Sequence, residues 1–199
     1  MTIQQLIKEL DNFKIKNSSS FDYDKDYINH LKKIENVISS FDENKVHSFC
    51  KLIEENLRKK DFENLDYTIG ILSSIYDFKE KDERIISKKL IGAIEIIVEE
   101  YKSETGESIF SNLYKIFDTY FHNPGLIDEL IPEEQKDLIR QINKIASIKY
   151  KEGSNFELIH RKIIGCLFYF KPSKKLEELK MKYKFHFDIQ IRNEASKLK

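Results

Sequence analysis

Between Asp82 and Tyr101, apolar residues recur at the interval of a single helical face: Ile86, Leu90, Ile94, Ile97 and Tyr101 follow one another at four, four, three and four residues. Ile85, Ile91, Ala93, Ile96 and Val98 carry apolar surface around most of the remaining circumference. Asp82, Glu83 and Arg84, and then Glu99 and Glu100, gather at the two ends. A helix apolar on more than one side must be covered on more than one side. The stretch therefore predicts the central layer of a helical stack.

The same periodicity, punctuated by capping residues, divides the remainder. Thr2 and Gln5 form a capping box for a first helix carrying Ile3, Leu6, Ile7, Leu10 and Phe13, which ends before Asn17-Ser18-Ser19-Ser20. A second helix runs from about Asp24 to Phe41, with Tyr27, Leu31, Ile34 and Ile38 on its stripe. Asp42 caps a third, with Val46, Phe49, Cys50, Ile53 and Leu57 inward, which closes on the basic Arg58-Lys59-Lys60 as the helix dipole favours. Asp61 caps a fourth, with Leu65, Ile69, Leu72 and Ile75 inward. Beyond the central helix, a turn at Glu104–Glu107 leads to a helix from Ser108 to about Phe121 that presents Ile109, Leu113, Phe117 and Tyr120. Pro124 and Pro132 suit first helical turns and predict a short helix to Leu130 and a longer one from Pro132 to Tyr150.

Ser154 and Glu157 make a second capping box, and with the stripe of Phe156, Ile159, Ile163 and Leu167 they favour helix over strand for Ile163–Phe170. Pro172 ends that helix, and two more follow, from Ser173 to about Tyr183 and from about Asp188 to Leu198. The fold class is all-α: about ten helices in one domain over residues 1–199, antiparallel where connections are short, in an irregular α-solenoid or a multi-helix bundle.

Composition narrows the picture. Three prolines and six glycines suit long helices with short turns. Cys50 and Cys166 each sit inside an apolar helical pattern and are read as reduced core residues. The N-terminus has no signal-peptide pattern, and the longest apolar run, eight residues, falls short of the ~20 that a membrane span needs. A cytoplasmic protein without membrane contact is expected, and the abundance of Lys, Ile, Asn and Glu fits an AT-rich bacterial genome. Basic and acidic residues balance at 34 each, which argues against a dedicated nucleic-acid binder. The balance is uneven along the chain. From Lys151 onward twelve basic residues face six acidic ones, a net +6 offset by −6 elsewhere.

The last helix carries a more specific pattern. Asp188 opens it, Ile191-Arg192 follows, and Ala195 and Leu198 come three and six residues after the arginine. This resembles the second helix of a HEAT-type repeat over about a dozen residues. The loose echo at Gln135–Arg140 with Ala146 does not establish a constant repeat length. The resemblance implies an irregular HEAT-like solenoid with an extended binding face.

Motifs for chemistry are sparse. Asp22, Asp24 and Asp26 alternate as in a calcium loop, but Tyr27 occupies the glycine position and Lys33 the glutamate position, so calcium is rejected. The same stretch, Asp22-Tyr23-Asp24 with Asp26 and Tyr27, suits a protein-binding edge, since tyrosines give rigid contact area and the acids charge complementarity. The plainer alternative is an acidic first helical turn. His47 and Cys50, three apart, make at most half a zinc site, and His160 and Cys166, six apart, fall on different sides of a helix. Glu99-Glu100 and Glu133-Glu134 read as solvated helix ends. No phosphate-binding loop, nucleophile elbow or catalytic signature occurs, so no catalytic residue, metal or cofactor is assigned.

The sequence thus points to a non-catalytic module that occupies the surface of a protein partner, as an adaptor does or as an immunity or antitoxin-type inhibitor covers a basic toxin. The alternative is a HEAT-like nucleic-acid-binding or DNA-repair protein using Lys182, Lys184 and Arg192 beside Tyr183, Phe185 and His186. An enzyme site assembled from distant helices would leave no local motif.

Overall fold

Among the residues that the computed structural model describes (43–73, 78, 80–101, 107–150 and 156–198), the predicted periodicities become nine α-helices and no strand. The two helices expected before them, with Asp22, Tyr23, Asp24, Asp26 and Tyr27, lie outside the described residues. The helices are α1 (Glu43–Lys59), α2 (Phe62–Ser73), α3 (Glu80–Tyr101), α4 (Glu107–His122), the single turn α5 (Gly125–Asp128), α6 (Pro132–Ile145), α7 (Phe156–Cys166), α8 (Lys174–Lys184) and α9 (Ile189–Ala195). None is long and apolar enough to cross a membrane.

Local chemistry sets their ends. α1 stops because Lys60 takes a left-handed conformation (φ 53°), so that the Asp61 N–H reaches Asn56 O (2.9 Å) and the Lys60 N–H reaches Leu57 O (3.1 Å). This is the Schellman arrangement with lysine where glycine usually stands. Asp61 then accepts the Asn64 N–H and starts α2 as expected. Ser173 accepts from Leu176 N and Asp188 from Gln190 N, capping α8 and α9.

Two helices end sooner than their sequence patterns suggest. α6 stops at Ile145 rather than Tyr150: Ser147 and Ile148 bond back three residues, and Lys182 of α8 donates to Asn143 O (2.9 Å) and Ser147 Oγ (2.6 Å). The lysine satisfies a terminal carbonyl of α6 that a further helical turn would have used. α9 stops at Ala195, and Leu198 is buried from a closing turn. After α7 the chain tightens into a 3₁₀ turn over Leu167–Tyr169, so the stretch before Pro172 is helical but not wholly α.

The helices stack in pairs. Within pairs, α1 packs on α2, α3 on α4 and α8 on α9. Between pairs, α1, α3, α6 and α8 form one row of successive neighbours, and α2, α4, α7 and α9 form the other. The central helix α3 touches α1, α4, α5 and α6, which is the many-sided covering its apolar circumference requires. Ile86, Leu90, Ile94 and Ile97 are buried, while Ile85 and Ile96 sit at its solvent edge. Val46, Phe49, Ile53, Leu57, Leu113, Phe117 and Tyr120 are buried as their stripes predict. Cys50 and Cys166 are buried free thiols, with Cys50 pushed up to about 11 by desolvation, so neither is an activated nucleophile.

α4 is tied both to α2 of its own row and to α3 of the other. Asn112 Nδ2 donates to Phe62 O (2.7 Å), Lys115 pairs with Asp66 of α2 (2.6 Å), and Tyr120 Oη lies 3.0 Å from both Ser87 Oγ and Ser87 O of α3. Gly70 earns its place in α2 because the Lys115 side chain crosses it on the way to Asp66. Gly165 of α7 lets the Phe121 ring of α4 approach so closely that a Cβ would lie 2.5 Å from it. Glu134, at the start of α6, is not a plain solvated helix end. It takes a two-pronged bond from Arg84 of α3 (both 3.0 Å) and the Ile131 N–H (3.1 Å), and the arginine bond holds its carboxyl below the usual range. Gln141 of α6 is fully buried with neither amide atom bonded to protein.

Two substitutions test this packing. Gly165→Ala forces the Phe121 ring off α7, and urea denaturation is expected to show a loss of about 1–3 kcal/mol. Gln141→Met keeps the volume and removes an unpaired buried amide, so a gain of about 1–2 kcal/mol is expected in the same measurement.

Candidate interaction site

Sequence alternation of the kind seen in Phe185-His186-Phe187-Asp188-Ile189 ordinarily turns the apolar side chains inward. Here it is inverted. Phe185, Phe187 and Ile189 are 77%, 48% and 49% exposed, whereas His186 and Asp188 are 4% and 0% exposed. Met181, one turn before Phe185 on α8, extends the exposed apolar surface. Large aromatic side chains leave water when any apolar cover is available, so their clustering at one corner marks a surface made to be covered.

Polar chemistry underneath enforces the inversion. The α8–α9 turn has backbone groups to satisfy, and the Asp188 N–H donates to His186 Nδ1 (3.2 Å). Asp188 Oδ1 caps α9 through the Gln190 N–H (2.9 Å), and Oδ2 accepts the Tyr150 hydroxyl (3.0 Å). Tyr150 comes from the segment after α6, which is why that helix must end early. Its ring stacks on His160 of α7 (centroids 5.2 Å, interplanar 22°) and on His186 (6.0 Å, 30°), and meets Phe187 edge-on (4.9 Å). His160 Nδ1 lies 3.1 Å from the Tyr183 hydroxyl of α8, and the His160 and His186 ring centroids are 4.9 Å apart. Arg192 of α9 closes the turn by donating to His186 O (2.8 Å) and Phe187 O (3.0 Å). Three helices and two connecting segments therefore meet in one buried ring and hydrogen-bond cluster.

Burial governs the protonation of these groups. Desolvation, with the neighbouring His186 adding to it, pulls His160 down to about 3, and desolvation likewise lowers His186. Tyr183 is raised well above the usual phenol range by the same cause. The Nε2 atoms of both histidines are buried and have no hydrogen-bond partner in the protein. Among the described residues no group of three or more His, Cys, Asp or Glu side chains is placed to hold a metal ion.

The residues singled out from sequence fare differently. Lys182 and Arg192 spend their donors on carbonyls of the chain itself, and burial lowers Lys182; Lys184 is half-buried beside Phe185 in sequence. Lys182 also donates to Ser147 Oγ, while the Ser147 hydroxyl donates to Asn143 O (2.9 Å), which is a helix-end cap and not an activated serine. His47 is exposed and Cys50 buried, so the structure does not bring that pair together. The pairing of His160 with His186 was not legible as a motif, because the two are joined by the stacking of α9 on α7 and not by spacing. The available signal was the aromatic beside each, Phe156 four residues before His160 and Tyr183 three before His186.

Asp188→Ala removes a helix cap and the carboxylate that accepts the Tyr150 hydroxyl. A stability loss of about 2–3 kcal/mol is expected in urea denaturation, against about 1 kcal/mol for Tyr150→Phe.

Set against known proteins, the chain matches no protein-family model, no curated protein and no solved structure.

Proposed function

We propose that this chain is a non-catalytic protein-binding module that acts by covering part of a partner protein through the α8–α9 corner. The observation that carries the reading is the outward Phe185, Phe187 and Ile189 with Met181, held over a buried polar cluster. Rigid aromatic anchors on an ordered turn lose little conformational entropy on binding and dominate interface energetics. The corner belongs to the quarter of the sequence with a net +6 charge, so the surface fits a partner with an apolar patch and an acidic rim. The paired rows of helices support a HEAT-like solenoid as the scaffold. An adaptor or an immunity-type inhibitor is the narrower form of the proposal, and in it Asp22, Tyr23, Asp24, Asp26 and Tyr27 offer a second, acidic contact to a separate basic region of the partner.

The test is capture of a partner by immobilised chain, identification of that partner, and titration of the two purified proteins. Phe185→Ser and Phe187→Ser, which alter exposed side chains, are expected to leave the fold intact by circular dichroism and each to weaken binding tenfold or more. Unchanged affinity in both variants, with loss on reversing Asp22, Asp24 and Asp26 to Lys, would move the contact to the N-terminal edge. Capture of nucleic acid instead, released steeply by salt and lost with Lys184→Glu, would contradict the reading.

A further inference from the structure

The Asp188 N–H can donate to His186 Nδ1 only while that nitrogen is bare, so the neutral ring carries its proton on Nε2. An imidazolium carries protons on both nitrogens. Its Nδ1 proton would face the Asp188 N–H, donor against donor, and the bond that orders the turn would be lost. His160, fully buried with its ring centroid 4.9 Å from that of His186, would add a second positive charge in the same desolvated space.

The groups facing the pair do little to offset such charges. Tyr150 from the segment after α6 and Tyr183 from α8 are neutral phenols. Lys182 from α8 and Arg192 from α9 are cationic and oppose protonation of His186. Among the described residues Asp188 is the carboxylate acting on both histidines, and its two oxygens are already engaged by the Gln190 N–H and the Tyr150 hydroxyl. The closed corner therefore refuses protons that an open corner accepts.

We propose that this corner is a proton-operated latch: mild acid opens the α8–α9 turn and dismantles the surface formed by Phe185, Phe187 and Ile189. The opening follows from the cluster alone, and its effect on a partner rests on the protein-binding reading above. The direction follows from linkage. Both histidines sit below their ordinary 6.5 when closed, so the stabilisation they give is complete above about 6.5 and is lost as pH falls. For His160 the loss continues down to about 3. Within that window each histidine that is neutral when closed and free when open raises the opening constant up to tenfold per pH unit.

Amide hydrogen exchange of the isolated full chain between pH 7 and 5, corrected for intrinsic rates, reads this directly. Protection at the Asp188, Arg192 and Ser196 amides is expected to fall below about pH 6.5 by up to tenfold per pH unit for each histidine still neutral in the closed corner, while the α2 and α4 amides change little. His186→Asn, which keeps an acceptor for the Asp188 N–H, and His160→Phe should each reduce the slope, and the double variant should flatten it. Flat protection in the unaltered chain, or an undiminished slope in the double variant, would overturn the latch. Should the variants not fold, the imidazole carbon signals of the unaltered chain decide the matter. The His160 ring is expected to stay neutral in the closed form at pH 5.5 and the His186 ring to titrate below its ordinary value, and ordinary titration of both near 6.5 within an intact corner would overturn the proposal. A steep slope with no partner bound at any pH would leave the latch standing and count against the protein-binding reading instead.

Discussion

The C-terminal corner depends on one hydrogen bond whose acceptor is a ring nitrogen that must stay unprotonated. The Asp188 N–H lies at the entrance of α9 and bonds to His186 Nδ1 in place of water. With that bond made, the turn alternates strictly, His186 and Asp188 inward and Phe185, Phe187 and Ile189 outward. Each backbone or side-chain group that finds a partner here avoids a desolvation cost of about 1–3 kcal/mol, comparable with what burying one aromatic side chain would gain. The hydrogen-bonding groups take the interior, and the aromatics are left as the surface. Structure and proposed function are thus two faces of the same arrangement: what is satisfied inside decides what is presented outside.

That corner needs a firm base, which the stacked rows supply. α7 brings His160, and α7 is held by its packing on α4, where Gly165 admits the Phe121 ring and Lys162 pairs with Asp118 (2.5 Å). α4 in turn is fastened to α2 through Asn112 and Lys115 and to α3 through Tyr120. These ties are specific polar contacts set in apolar surroundings, so they fix which helical faces meet as well as adding stability. α8 is fixed from the other row, with Lys182 on the end of α6. Tyr183 and His160 therefore meet across two separately anchored helices.

Much of this was legible in the sequence where a single helix carries the information. The stripes of α1, α3 and α4 mark Val46, Phe49, Ile86, Leu90, Leu113 and Phe117 as core, and Asp61, Ser173 and Asp188 announce the helix starts that they cap. What stayed hidden depends on contacts between helices. The early end of α6 is set by a lysine 39 residues from Asn143, and the neighbourhood of His160 and His186 exists only because α9 lies on α7. The segment Lys182–His186 reads as a mixed basic and aromatic face. Folding sorts it, sending Tyr183 and His186 inward, tying Lys182 to α6 and leaving Phe185 in solvent. The inverted alternation at residues 185–189 was the strongest signal of a binding surface, and periodicity alone gives it the wrong sign.

That a buried polar cluster holds an apolar surface outward can be read by solvent paramagnetic relaxation on side chains of the native chain at neutral pH. Strong enhancement is expected at the rings of Phe185 and Phe187 and the methyl groups of Ile189, and almost none at the rings of His160 and His186 beneath them. Protected phenylalanines above solvent-exposed histidines would contradict it.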